Sequence, residues 1–339
     1  MKFSKKTYVI AEIGVNHNNN ISLAQKMITS AKKSGADAVK FQTFKASNFV
    51  TKYTPKAEYQ KKNTDSSLNH YNMIRSLELS TKNHIKLKNF CKKIKIDFLS
   101  TPYDIESAKF LKKIGCNVFK TSSADIVDLE LHSYLAKSKK KIIISTGMSN
   151  IKEIKECLEI YKKFLNKNYI LLHCVSNYPC SLKSLNLKAL ELMKKKFNCD
   201  VGFSDHTVGY QAAVTSVCLG ASIVEKHFTL NKNLMGPDHK ASANPKEFKK
   251  MVNEIRKTEL ILGKCVKKCQ TEEKEMAKVS RKSLTLNRNL KKNEILKRNF
   301  LTLKRPGTGN FYNQIENFIG RKSKRSLKID YQIKNKDFY

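Results

Sequence analysis

The amino-acid sequence predicts an α/β fold, a (β/α)8 barrel followed by a small β-rich domain. Three observations predict it. Eight short apolar or β-branched runs alternate with longer helical patterns over about 265 residues, the count and size of such a barrel. Polar and titratable residues collect at the C-terminal ends of those runs. The composition then changes after Cys269.

The strand-like runs are 8–13, 38–42, 97–101, 118–122, 141–146, 169–174, 200–204 and 222–226. Helical patterns lie between them near 21–34, 81–95, 104–114, 128–138, 150–166, 185–197, 208–219 and 245–262. A doubly wound open sheet is the alternative, but it has no need of eight such units. Two insertions break the rhythm. Residues 43–80 are too long for an ordinary strand–helix loop and are expected to cover one end of the barrel. Residues 229–244 follow the eighth strand and carry the turn cluster Gly236-Pro237-Asp238-His239. The expected division is a barrel over 1–265, a polar linker or short helix over 266–280, and a small domain over 281–339. That domain holds strand-like runs at 283–286 and 300–303 and the string Arg305-Pro306-Gly307-Thr308-Gly309.

Composition excludes several classes. The net charge of +37 invites a nucleic-acid reading, but only eight of the 66 basic residues are arginine, and Trp is absent. The lysines are spread along the chain with no aromatic stripe among them, so base composition of the coding sequence explains the charge better than nucleic-acid binding does. No apolar run approaches the ~18 residues of a membrane span. The basic start, Met1 to Lys6, is followed by an apolar run broken at Glu12, Asn16 and His17, so no signal peptide is read and a cytoplasmic protein is expected. Of the nine cysteines, only Cys265 and Cys269 are close in sequence, and no second Cys or His pair accompanies them as a zinc site requires.

In a barrel, catalytic groups belong at the C-terminal ends of strands. Those ends read Glu12-Ile13-Gly14, Lys40 with Gln42, Ser100-Thr101, Lys120-Thr121-Ser122-Ser123, Ser145-Thr146-Gly147, His173 with Ser176 and Tyr178, Ser204-Asp205-His206, and Glu225-Lys226-His227. Any one has a bland explanation, such as a solvated lysine, a core histidine or a helix cap. Eight at one end of one barrel do not. Lysines and hydroxyls together suit a phosphorylated, carboxylated substrate. Two histidines on adjacent strands suit one divalent metal completed by water.

The strings A-E-I-G-V-N-H (11–17), V-K-F-Q-T (39–43), F-L-S-T-P (98–102), S-T-G-M (145–148), L-H-C-V-S-N-Y-P (172–179), G-F-S-D-H-T (202–207), E-K-H-F-T (225–229), G-P-D-H-K-A-S (236–242) and K-R-P-G-T-G (304–309) cover nearly the whole chain. In that order they resemble the sialic acid synthase family. The resemblance implies a barrel followed by an antifreeze-like (SAF) domain, a domain-swapped homodimer, and condensation of phosphoenolpyruvate with an N-acetyl amino sugar. It implies that His206 and His227 bind a divalent metal, Mn2+ or Mg2+. Lys40 and Thr101 would hold the carboxylate of phosphoenolpyruvate, and Lys120, Ser123, Ser145, Ser176 and Ser204 its phosphate. Glu12, Gln42, Tyr178 and Asp238 would face the sugar, with Glu12 the candidate proton carrier, and Arg305 would reach the sugar from the partner chain. The lysines are expected to stay protonated beside bound anions. Asn19 and Ala124 stand where the family usually has Gly. A Schiff-base pyruvate aldolase on the same barrel, with one desolvated lysine and no metal, is the second reading. A non-catalytic carbohydrate-binding barrel is the third. The acceptor is left open between N-acetylmannosamine and a 6-deoxy-2,4-diacetamido hexose.

Overall fold

The computed structural model describes residues 6–339; the basic segment 1–5 lies outside the described residues. The chain divides into two compact units, one ending at Gly263 and the other running from Lys264 to Tyr339.

The first unit contains eight parallel strands: β1 (Tyr8–Gly14), β2 (Ala38–Thr43), β3 (Asp97–Pro102), β4 (Val118–Thr121), β5 (Lys141–Ser145), β6 (Tyr169–His173), β7 (Asp200–Asp205) and β8 (Ile223–His227). They pair in the order β3-β2-β1-β8-β7-β6-β5-β4, and the two end strands, β3 and β4, pack side by side, so the sheet rounds into a barrel. Each strand is short and rich in Val, Ile or Phe, as a strand buried on both faces must be.

The period of two along each strand sets the interior. One apolar layer is built from Ile10, Ala38, Leu99, Val118, Ile143, Leu172 and Ile223. Strand β7 contributes Gly202 at this level, because a methyl there would come within 2.6 Å of both Leu172 Cδ2 and Ile223 O. Two residues further along each strand the same inward face carries Glu12, Lys40, Thr101, Lys120, Ser145, Cys174, Ser204 and Glu225, all buried. The apolar layer is thus the floor of a polar chamber at the C-terminal end of the sheet.

Helices cover the outer face. Helix Ile21–Lys33 begins at Asn20, whose side chain accepts from Leu23 N, and buries Ala24, Met27, Ile28 and Ala31 at helical spacing. Helix Pro245–Leu262 opens with Pro at its first turn and an Asn244/Glu247 capping box, then packs against Ile21–Lys33, so the last helix of this unit meets its first. The 43–80 insertion forms three short helices, Ala46–Phe49, Glu58–Asn63 and His70–Ser76. Phe44, Ala46, Met73, Ile74 and Leu77 pack with Val15, which follows β1, into a separate small core at the chamber end. Helices 185–197 and 208–219 of the sequence reading are shorter in the structure, Ala189–Phe197 and Gln211–Cys218. The segment before the first holds Pro179, a 3-10 turn and Asn186 with positive φ, which do not fit an α-helix. Among the described residues no helix is long and apolar enough to cross a membrane.

In the second unit, helix Glu273–Ser280 lies within the stretch read as a linker or short helix. Strands β9 (Ser283–Leu286) and β10 (Leu301–Lys304) pair antiparallel over a core of Leu284, Leu286, Leu296, Phe318, Ile333 and Phe338.

Candidate active site

The chamber is held by a continuous set of contacts across its floor. Gln42 Nε2 donates to Glu12 Oε1 at 3.1 Å, and Glu12 Oε2 lies 2.9 Å from Lys40 Nζ. Lys40 Nζ also donates to Thr101 Oγ1 at 3.0 Å. Glu225 sits between the two lysines, 3.8 Å from Lys40 Nζ and 3.7 Å from Lys120 Nζ. Lys120 Nζ donates to Thr121 O at 3.0 Å and to Ser145 Oγ. Ser204 Oγ donates to Glu225 Oε1 at 3.1 Å and lies 3.4 Å from His206 Nε2. Two residues above Ser145, Gly147 N donates to Ser123 Oγ at 3.0 Å. A methyl on Gly147 would meet Ser176 Oγ at 2.5 Å, Ser123 Oγ at 2.8 Å and Cys174 Sγ at 2.9 Å, so Ser123 and Ser176 converge on one small space.

At the other side stand the imidazoles. The His206 and His227 ring centres are 5.7 Å apart, and the Tyr178 ring lies 4.2 Å from His206 and 5.6 Å from His227. His227 Nδ1 is 3.9 Å from Asp238 Oδ2. The barrel-borne residues proposed from sequence therefore lie in one chamber. Arg305 belongs to the second unit, where it is an exposed residue just after β10. Its loop is fastened by Gly307 N to Lys278 O at 2.6 Å, and by Ser283 Oγ and Gln332 Nε2 to Pro306 O at 2.8 and 2.7 Å.

Burial and charge set the protonation states. Burial pushes the Glu12 carboxyl above its ordinary value, with Lys40 opposing and Glu225 adding to the shift. Burial acts on Glu225 in the same sense, but Lys120 and Lys40 outweigh it and hold that carboxylate below its ordinary value. Burial alone would depress Lys40, yet Glu12 and Glu225 hold it above the usual lysine range. Lys120 behaves differently: burial depresses it, Lys40 adds like-charge repulsion, and Glu225 does not fully compensate. Without a bound anion, Lys40 is thus shifted toward its charged form and Lys120 the other way. Burial raises Asp238 to about 6.

The histidine pair fits a divalent metal. Burial drives His206 below the ordinary imidazole range and His227 down to about 3, so both rings are neutral. His206 Nδ1 donates to Val175 O at 2.8 Å, which leaves Nε2 with a free lone pair. His227 Nδ1 is buried and has no hydrogen-bond partner, a state that a ligand would relieve. Among the described residues no group of three His, Cys, Asp or Glu side chains forms a complete ligand set. Water or substrate oxygens would therefore have to complete the shell.

The alternation also separates site residues from their neighbours. Lys226 lies outside the chamber, its Nζ 2.7 Å from Asp205 Oδ2 and 2.8 Å from Thr207 O. His173 lies outside too, its Nε2 donating to Leu185 O at 2.6 Å and its ring stacked on Phe203. His17 is buried beside the first turn, its Nδ1 accepting from Asn19 N at 2.9 Å. Asn19 adopts φ +54°, the left-handed conformation for which Gly is the usual residue and Asn the next best. Ala124 is exposed. Cys265 and Cys269 are exposed and free. Sequence reasoning missed Glu225 as a site residue. The signal was present, because Glu225 stands two residues before His227 and so shares its face.

A buried chamber of two lysines, three carboxyl groups and a row of hydroxyls beside a histidine pair, at the C-terminal end of a parallel barrel, defines a class: a barrel whose interior has the donor set for an anionic substrate. Comparison with known proteins narrows this. Residues 27–267 match the model of the NeuB family, and the chain belongs to that family. It is 43% identical to an N,N'-diacetyllegionaminic acid synthase of Campylobacter jejuni, over 97% of this chain and 99% of the relative. It is 41% identical to an N,N'-diacetyllegionaminic acid synthase of Legionella pneumophila, over 96% and 92%. Among solved structures it resembles an N-acetylneuraminic acid (sialic acid) synthetase of Leptospira borgpetersenii in complex with citrate, with 34% identity and a TM-score of 0.71, covering 80% of this chain and 90% of that one.

Proposed function

We propose that this protein is a nonulosonic acid synthase that condenses phosphoenolpyruvate with an open-chain N-acetylated amino sugar and water, giving a nine-carbon 2-keto acid and phosphate. The observation that carries the reading is the pairing, in one buried chamber, of an anion cradle around Lys40 and Lys120 with the neutral His206–His227 pair. The two relatives above favour a 6-deoxy-2,4-diacetamido hexose over N-acetylmannosamine as acceptor.

Lys40 and Thr101 would hold the substrate carboxylate. Lys120, Ser145, Ser204, Ser123 and Ser176 would hold the phosphate, with Gly147 leaving room for it. An arriving dianion favours the charged form of Lys120 and so offsets the effect of burial. A divalent ion on His206 and His227, Mn2+ or Mg2+, would supply Lewis acidity at a carbonyl oxygen. Gln42 and Tyr178 would orient the sugar. Glu12 and Asp238, both raised by burial, can hold a proton near neutral pH and release it to a sugar oxygen or take one from water. The new C–C bond joins the phosphoenolpyruvate methylene carbon to the sugar aldehyde carbon. Water adds to the enol carbon, and the C–O bond to phosphate breaks, so the bridging oxygen leaves with phosphate.

The second unit would be an antifreeze-like domain that presents Arg305 to the sugar in the partner chain of a swapped homodimer. Exposed apolar residues support a partner: Leu260 and Ile261 on the first unit, Met276 and Val279 on the second. Nine free cysteines fit a reducing compartment, the cytoplasm. The aldolase reading draws on one observation, the depressed Lys120. Against it, Lys120 Nζ is already occupied by Thr121 O, Ser145 Oγ and Glu225.

The test supplies phosphoenolpyruvate carrying oxygen-18 at the bridging position together with each candidate sugar, and reads products by mass. The keto acid should form with the diacetamido sugar, with the label in phosphate. Label retained in the keto acid, or borohydride trapping of pyruvate on Lys120, would overturn the reading.

A further inference from the structure

Asp238 lies on a loop, residues 229–242, that has no strand of its own to hold it. The backbone carbonyls of such a loop need partners. Here three are met by side chains, two from distant segments and one from the loop's own last residue. Asn18 Nδ2 donates to Met235 O at 2.8 Å, Asn63 Nδ2 to Pro237 O at 3.4 Å, and Ser242 Oγ to Asp238 O at 2.7 Å. The third of these is itself gripped from the turn that follows β1. Asn16 Nδ2 donates to Ser242 Oγ at 2.9 Å and to Phe228 O at 3.0 Å. One amide group therefore ties the first residue after β8 to the far end of the loop. Asn16 and Ser242 are almost fully buried.

We infer that Asn16 and Ser242 are positioning residues: a buried two-step relay, Asn16 to Ser242 to the Asp238 carbonyl, fixes where the Asp238 carboxylate stands in the chamber. The inference rests on the reading that Asp238 serves the sugar. It gives a reason for the Asn in A-E-I-G-V-N-H and the final Ser in G-P-D-H-K-A-S, neither of which has a role in anion or metal binding. The relay acts on the backbone of Asp238, so it survives replacement of the Asp238 side chain. That separates positioning from mere stability.

The experiment is a double-mutant cycle on the full-length, metal-loaded protein. Ser242→Ala removes both links while deleting one buried atom, and Asn16→Asp keeps shape but removes the donor. Each should raise the sugar KM or lower kcat for sugar by about tenfold, the usual worth of one or two hydrogen bonds, with phosphoenolpyruvate affinity unchanged. Ser242→Thr, which restores the hydroxyl, should recover activity. In an Asp238→Asn background, which loses sugar use by itself, Ser242→Ala should cost little more, because the residue it positions is already disabled. If Asp238→Asn leaves sugar use intact, the reading of Asp238 fails and the relay loses its purpose. If Asp238→Asn is crippling but Ser242→Ala and Asn16→Asp are silent, or their losses add fully to it, the relay is structural only and the inference is overturned.

Discussion

Glu225→Gln keeps the side-chain shape and removes the one negative charge shared by two buried ammonium groups. In the native chamber its oxygens lie 3.8 Å from Lys40 Nζ and 3.7 Å from Lys120 Nζ. At an effective dielectric near 20, each contact is worth about 4 kcal/mol of Coulomb energy. The full sum is not lost, because the variant no longer buries a carboxylate and Lys120, already depressed, can shed its proton. Breaking one side of a buried ion pair typically costs about 3–5 kcal/mol. For a chain of this size that lowers Tm by roughly 4–7 °C. Inorganic phosphate then becomes diagnostic. It replaces the missing counter-charge in the variant and should bind about tenfold tighter there, adding about 1.4 kcal/mol of stabilisation at saturation relative to wild type. Thermal unfolding with and without phosphate reads both effects. A variant within about 2 °C of wild type, with the same phosphate-induced shift, would refute the electrostatic account of the chamber.

Three further outcomes follow from the proposed function. His206 is depressed and His227 falls to about 3, so protons should compete poorly with metal: protein loaded with Mn2+ and then dialysed should retain the ion at about pH 5.5, where an imidazole of ordinary pKa is mostly protonated. Metal loss with a midpoint near the ordinary histidine value would refute this, and His206→Ala or His227→Ala should lose both metal and turnover. Gly147→Ala places a methyl 2.5 Å from Ser176 Oγ and should raise the phosphoenolpyruvate KM at least about tenfold with little change in Tm, so an unchanged KM would remove that corner from the anion cradle. Arg305→Ala should leave phosphoenolpyruvate binding intact and cripple use of the sugar, and mixing it with His206→Ala should restore part of the activity; no recovery when subunits demonstrably exchange would end the cross-chain role.

Much of this was legible along the chain because a strand has a period of two. Glu12, Lys40, Lys120 and Ser204 each follow an inward-facing small or apolar residue by two positions, so sequence alone put them at one end of the sheet. The same rule would have included Glu225 and separated His173 and Lys226 from their neighbours. The named strings drew attention to His227 instead. The late start of helix Ala189–Phe197 was hidden because a short apolar run does not mark where an irregular loop yields to a helix.

The sequence by itself determined the number of strand–helix units, the end of the barrel at which chemistry sits, and the residue types gathered there. These depend on periodicity and local propensity, which are properties of neighbours in the chain. Only the tertiary structure decided which carboxylate stands between Lys40 and Lys120, why Lys40 and Lys120 shift in opposite directions, and how Asn16 reaches across 226 positions to the loop that carries Asp238. Those outcomes depend on burial and on distances of 3 to 4 Å between residues far apart in sequence, where electrostatic and hydrogen-bond energies are settled by the barrel's register and not by any local pattern.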